Sequence, residues 1–193
     1  MKTIIWDIDD VLNDLMKQWF EKKWLAENPG SLLVYKDIIE NPPHEVLNMS
    51  LAEYRTSLDD FRLEFGQYFI PSVEILNWFK EYGSNYRHMA LTAVPIKLAH
   101  ISAAWLFNHF GNWIHSFNIV PSPRDSDPPF RYHSTKKEFL NFLGKGDLII
   151  DDNLKNIQGA KELGLQTILY PQPWNNSQLS TKEIFSKLTE QKP

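Results

Sequence analysis

The sequence predicts an α/β domain, a parallel sheet with helices between its strands and a block of helices inserted after the first strand. Three observations point there. Short apolar runs at residues 3–8, 86–91, 117–120, 148–150 and 166–170 alternate with longer stretches of helical period. From residue 71 onward that alternation is clean, as crossovers between parallel strands require. Residues 14–70, in contrast, hold helical period and no strand pattern.

Each element has its own signal. The first run ends in acids, Trp6-Asp7-Ile8-Asp9-Asp10-Val11-Leu12. Residues 14–27 form an amphipathic helix candidate, Asn41-Pro42-Pro43 interrupts the chain, and residues 50–69 are a second helical stretch dense in aromatics. Pro71 and Gly83 bracket a helix over residues 73–82 with Val73, Leu76 and Phe79 on one stripe. Ile96, Ala99, Ala103, Leu106, Phe107 and Phe110 share a stripe that stops at Gly111. Thr135 and Glu138 have capping-box spacing at the start of another helix. Leu154, Ile157, Ala160 and Leu163 form the next stripe, with Gly164 where a left-handed cap is expected. Residues 181–193 read as a short polar helix that frays. Because parallel α/β sheets bind ligands at the carboxyl ends of their strands, an insertion leaving the first strand overhangs that edge as a candidate lid.

Composition narrows the chemistry. The 193 residues suit one domain with a modest insertion, and 42% hydrophobic with 23% charged residues is a globular balance. A net charge of −4 provides no field for a nucleic-acid polymer or an anionic membrane surface. The absence of cysteine removes disulfides, thiolate zinc sites, iron–sulfur clusters and cysteine nucleophiles, so any metal sits on oxygen or imidazole. Residues 98–123 lack Asp, Glu, Lys and Arg but contain three His, three Asn, one Gly and two Pro, which fits a buried helix and strand better than a membrane span. No secretory apolar run opens the chain, and a cytoplasmic location is expected. Histidines 44, 88, 100, 109, 115 and 133 show no metal-ligand spacing, and no Gly-rich nucleotide loop occurs.

The carboxylates carry the strongest signal. A lone Asp after a strand is an ordinary turn or cap residue, but Asp7, Asp9 and Asp10 repel one another and need a counterion. Asp151-Asp152 ends a second strand run. If the two strands are neighbours, their acids form an oxygen-rich pocket suited to a hard divalent cation, Mg²⁺ rather than Zn²⁺. Thr92 brings a hydroxyl to the same edge, unless it caps a helix. Lys136 and Lys137 stand in a first helical turn, against the macrodipole at about 0.3–1 kcal/mol each, which hints at an anion to be held.

Taken together, these segments resemble the haloacid dehalogenase (HAD) superfamily of aspartyl phosphatases. The Asp7–Leu12 segment is similar to its first motif, Thr92 to the second, Lys136 to the third and Ile149-Ile150-Asp151-Asp152 to the fourth. The resemblance implies a three-layer Rossmann-like core, residues 1–13 and 71–193, with a small helical cap of the first type over residues 14–70. It implies Asp7 as nucleophile and Asp9 as general acid and base. Mg²⁺ would be held by the Asp7 carboxylate, the Asp9 backbone carbonyl and Asp152, with Asp151 supporting directly or through water. Thr92, Ala93 and Lys136 would bind phosphoryl oxygens, with Lys137 and Lys145 as alternatives for the lysine.

Within the superfamily the chain is most similar to the 5′(3′)-deoxyribonucleotidases, through Asp-Asp-Val-Leu, Ile-Asp-Asp-Asn and the loop Tyr170-Pro171-Gln172-Pro173-Trp174-Asn175. It departs from them at Asp10, where they carry Gly, and at Pro71-Ser72-Val73. The implied substrate is a small phosphorylated metabolite, a nucleoside monophosphate in the first instance, with Trp19, Trp24, Phe61, Phe65, Tyr68 and Phe69 as candidates to stack a base. At helical spacing such residues are more often core. The alternatives are a phosphatase for a sugar phosphate or similar metabolite, and a non-catalytic protein that binds a nucleotide or a partner.

Overall fold

The computed structural model describes residues 1–124, 127 and 132–190. Strand β1 (Thr3–Trp6) leads into the insertion, which opens with α1 (Leu15–Trp19), one π-helical turn (Phe20–Trp24) and α2 (Leu25–Glu27). In the π turn the Leu25 N–H donates to the Phe20 carbonyl, and the rings of Phe20 and Trp24 stack at 5.3 Å on the buried side. A 3₁₀ turn (Tyr35–Asp37) and the break at residues 41–43 precede α3 (Leu51–Phe65), which continues as a 3₁₀ turn (Gly66–Tyr68). The order then runs α4 (Val73–Tyr82), β2 (Arg87–Val94), α5 (Ala99–Phe110), β3 (Ile114–Pro121), α6 (Lys136–Leu143), β4 (Leu148–Asp151), α7 (Leu154–Glu162), β5 (Gln166–Leu169) and α8 (Thr181–Glu190). Of the expected tail helix, residues 191–193 lie outside the described residues.

The five strands are all parallel, in the order β3-β2-β1-β4-β5. Their period of two divides the core. Ile4, Trp6, Leu148 and Ile150 face one side, with α4, α5 and α8, while Ile5 and Ile149 face the other, with Leu140 of α6 and Ala160 of α7. Helix, sheet and helix therefore make three layers, and each Ile or Leu buried between them contributes about 1.5–3 kcal/mol. Insertion residues Leu15, Trp19, Phe20, Tyr54 and Phe61 belong to the same apolar cluster as Trp6 and Phe79. Among the described residues no helix is long and apolar enough to cross a membrane.

Two expectations shift in detail and a third holds. β2 extends through Thr92 to Val94 because these residues pair with Ile119–Pro121 of β3, so Thr92 is a strand residue and caps no helix. The capping box of α6 is staggered: Thr135 accepts from the Glu138 N–H, but the Glu138 carboxylate accepts from Ser134. Gly164 does occupy the left-handed region after α7, at φ 82°.

Candidate active site

From β1 the chain runs to β2 on one side, and only after β3 does it return to β4 on the other, so the sheet changes direction between β1 and β4. At such a switch point the carboxyl ends of two neighbouring strands diverge and leave a crevice. The Asp7 N–H still donates to the Ile150 carbonyl at 2.9 Å, which locks the residue after β1 beside the end of β4. Acids from both strands therefore meet. Carboxylate oxygens of Asp7, Asp151 and Asp152 lie within 4.8 Å of one another, all three residues buried.

Lys136 is threaded between them. Its Nζ lies 2.6 Å from Asp7 Oδ2 and 2.7 Å from Asp151 Oδ2, and the residue is only 2% exposed. Burial opposes its charge, but Asp151 and Asp7 hold the ammonium well above the usual lysine range. One ammonium against three carboxylates leaves the cluster short of positive charge. Burial, together with repulsion from Asp151 and Asp152, pushes the Asp7 carboxyl well up despite Lys136. Burial first and Asp151 second push Asp152 up to about 7. An all-oxygen donor set with this deficit fits a hard divalent cation. The carboxylate of Asp151 is already committed, accepting from Lys136, from the Asn153 N–H and from Asn156.

The loop after β5 braces the cluster. Trp174 Nε1 donates to Asp152 Oδ2 at 2.7 Å, and Asn175 donates to the Asp152 carbonyl at 2.8 Å. Gln172 donates to the Asp10 carbonyl at 2.7 Å and accepts from the Tyr35 hydroxyl of the insertion at 2.8 Å. Asp10 itself stands at φ 61°, the left-handed region, and its carboxylate accepts from the Met16 N–H at 2.8 Å.

Above the acids lies a cavity of about 270 Å³, lined by Asp7, Asp9, Thr92, Ala93, Lys136 and Asp152 below and by Tyr54, Arg55, Leu58 and Arg62 of α3 above. Asp9 does not join the acid cluster; its Oδ2 accepts from Arg62 Nη2 at 2.7 Å. Arg124, after β3, forks onto Asp59 at 2.6 and 2.9 Å.

No family model matches the sequence, and comparison with curated proteins finds no relative. Solved structures do match. A protein from Clostridium acetobutylicum assigned as a phosphatase superposes with a TM-score of 0.60 at 18% identity, over 98% of each chain. A protein from Thermotoga maritima assigned as a β-phosphoglucomutase gives 0.57 at 16% identity, over 99% of this chain and 100% of that one. A protein from Bacillus subtilis assigned as a HAD hydrolase, described with magnesium bound, gives 0.51 at 16% identity, over 86% and 85%. The fold is that of the HAD hydrolases.

On this HAD fold the four motif positions occupy one edge of the sheet, Asp7 after β1, Thr92 in β2, Lys136 opening α6 and Asp151-Asp152 at the end of β4. Lys137 points away and pairs with Glu162 on the surface, so among the adjacent lysines Lys136 alone reaches the acids. The six aromatics expected to stack a base do not line the cavity. Trp19, Trp24, Phe61 and Phe69 are spent on the core, and Phe65 and Tyr68 are exposed elsewhere. Tyr54 is the aromatic that lines it. The sequence reading missed the arginines. Arg55, Asp59 and Arg62 recur at i, i+4 and i+7 on one helix, a charged stripe that reads as a solvated face until the fold turns it onto the site.

Proposed function

We propose that the protein is a Mg²⁺-dependent phosphomonoester hydrolase acting on a small polar phosphometabolite of the sugar-phosphate class. The observation that carries this reading is the meeting of Asp7, Asp151 and Asp152 around Lys136 at the switch point, beneath a small polar cavity. In it, residues 14–70 are the cap. The Thermotoga protein's assignment as a β-phosphoglucomutase supports a sugar-phosphate substrate. A nucleoside monophosphate has less support, because the aromatics expected for the base lie outside the cavity.

In this mechanism an Asp7 carboxylate oxygen attacks phosphorus in line, the bond from phosphorus to the leaving oxygen breaks, and Asp9 gives that oxygen a proton. Asp9 then takes a proton from water as the water attacks phosphorus of the aspartyl phosphate, releasing inorganic phosphate and restoring Asp7. Thr92, Ala93 and Lys136 hold the phosphoryl oxygens as charge redistributes over them. Asp7, Asp152 and the Asp9 carbonyl would hold Mg²⁺, which would supply charge neutralisation, and Asp151 would act through Lys136.

The test is phosphate release from p-nitrophenyl phosphate and from a panel of sugar phosphates and nucleotides, with Mg²⁺ or with chelator. Metal-dependent release is expected, with sugar phosphates ahead of nucleotides. Asp7→Asn should abolish turnover with an unchanged circular dichroism spectrum; undiminished release from that variant removes Asp7 as nucleophile.

A further inference from the structure

The cavity is electrically divided. Its floor is acidic, with Asp7, Asp10 and Asp152 against Lys136, and its roof is basic, with Arg55, Arg62 and Arg124. The roof's counterions are fully engaged. Arg62 holds Asp9 at 2.7 Å. Asp59 alone faces Arg124 at 2.6 Å, Lys97 at 3.6 Å and Arg62 at 3.8 Å. The side chain of Arg55, half-buried on α3, has no hydrogen bond or ion pair among the described residues, although Asp60 lies along the same outer groove. A second donor is also unspent, since the Nε of buried Arg62 has no partner.

An unpaired guanidinium in a partly desolvated cavity is costly unless an anion completes it, and its planar fork suits a carboxylate or a phosphate. The floor takes the transferring phosphoryl group in the reading above, on which this inference rests, so whatever meets Arg55 belongs to the leaving-group half of the substrate. We propose that the substrate carries two anionic groups, the scissile phosphate on the floor and a second carboxylate or phosphate bound by Arg55, which makes Arg55 the residue that sets specificity. Within the sugar-phosphate class, a substrate that bears a second anion satisfies Arg55 and one with a neutral leaving group does not.

The experiment compares kcat/KM for phosphoglycolate (second anion a carboxylate) and glycerol 1,3-bisphosphate (second anion a phosphate) with that for glycerol 1-phosphate, in wild type, Arg55→Gln and Arg55→Lys. The wild type should prefer one of the two-anion substrates over glycerol 1-phosphate by at least tenfold, and which one it prefers identifies the second anion. Arg55→Gln should reduce that preference at least tenfold, chiefly through KM, and Arg55→Lys should restore part of it. The absence of a preference, or an equal effect of Arg55→Gln on all three, overturns the inference. Turnover of p-nitrophenyl phosphate alongside such a result leaves the phosphatase reading standing, whereas failure to hydrolyse any phosphomonoester overturns both.

Discussion

Asp152 shows how single side chains set the terms of this site. Its Oδ2 is taken by the Trp174 indole N–H at 2.7 Å, which orients the carboxylate. Removing such an outer hydrogen bond typically costs about 10–100-fold in metal affinity. Trp174→Phe should therefore weaken Mg²⁺ binding by about tenfold or more in a calorimetric titration. The acid cluster also makes stability depend on pH. Asp152 has a folded pKa of about 7, raised by burial and by Asp151, against about 3.9 in an unfolded chain. Between those values the folded protein keeps a proton that the unfolded chain has lost, so metal-free stability falls as pH rises from about 4 to about 7. Asp7, raised in the same direction, adds to this. Bound Mg²⁺ reverses the penalty, so the gain in melting temperature on adding Mg²⁺ should be larger at pH 8 than at pH 5, and Asp152→Asn should remove most of it. At Asp10 the backbone is in the left-handed region that favours Gly, and the bond from the Met16 N–H to its carboxylate holds the residue there.

At the scale of elements, α6 presents Lys136 to the acids from a position fixed by α7. Gly159 of α7 faces Lys137 so closely that a Cβ there would lie 3.0 Å from the Lys137 Cβ. Gly159→Leu should force the two helices apart and cost about 1–3 kcal/mol in urea denaturation, because overpacking cannot be relieved without moving α6. The strands and helices were largely legible because apolar runs and capping residues are local signals. The acid cluster was legible for the same reason, since Asp7–Asp10 and Asp151-Asp152 directly follow such runs. Two features were not. The π turn at Phe20–Trp24 leaves no mark in a helical stripe. The pairing of Asp9 with Arg62 joins residues 53 apart in the chain, and only the folding of α3 over the sheet edge turns a surface-like charge pattern into a roof.

At the scale of the whole molecule, the insertion and the sheet share one apolar cluster. Trp105 of α5 donates to the Phe69 carbonyl at 2.7 Å, and Tyr35 meets Trp174 edge-to-face at 6.3 Å, so polar and aromatic contacts cross the same boundary. Swinging residues 14–70 away as a rigid body would break these contacts and split the shared cluster. The radius of gyration from small-angle scattering should accordingly be the same with and without Mg²⁺ and a phosphate analogue; a contraction on binding would contradict this. Such interlocking also bears on how the molecule can diversify. Transplanting residues 14–70 from another chain would set a foreign underside against Trp105 and Trp174, so new preferences are more accessible through single replacements along α3 than through exchange of the whole module.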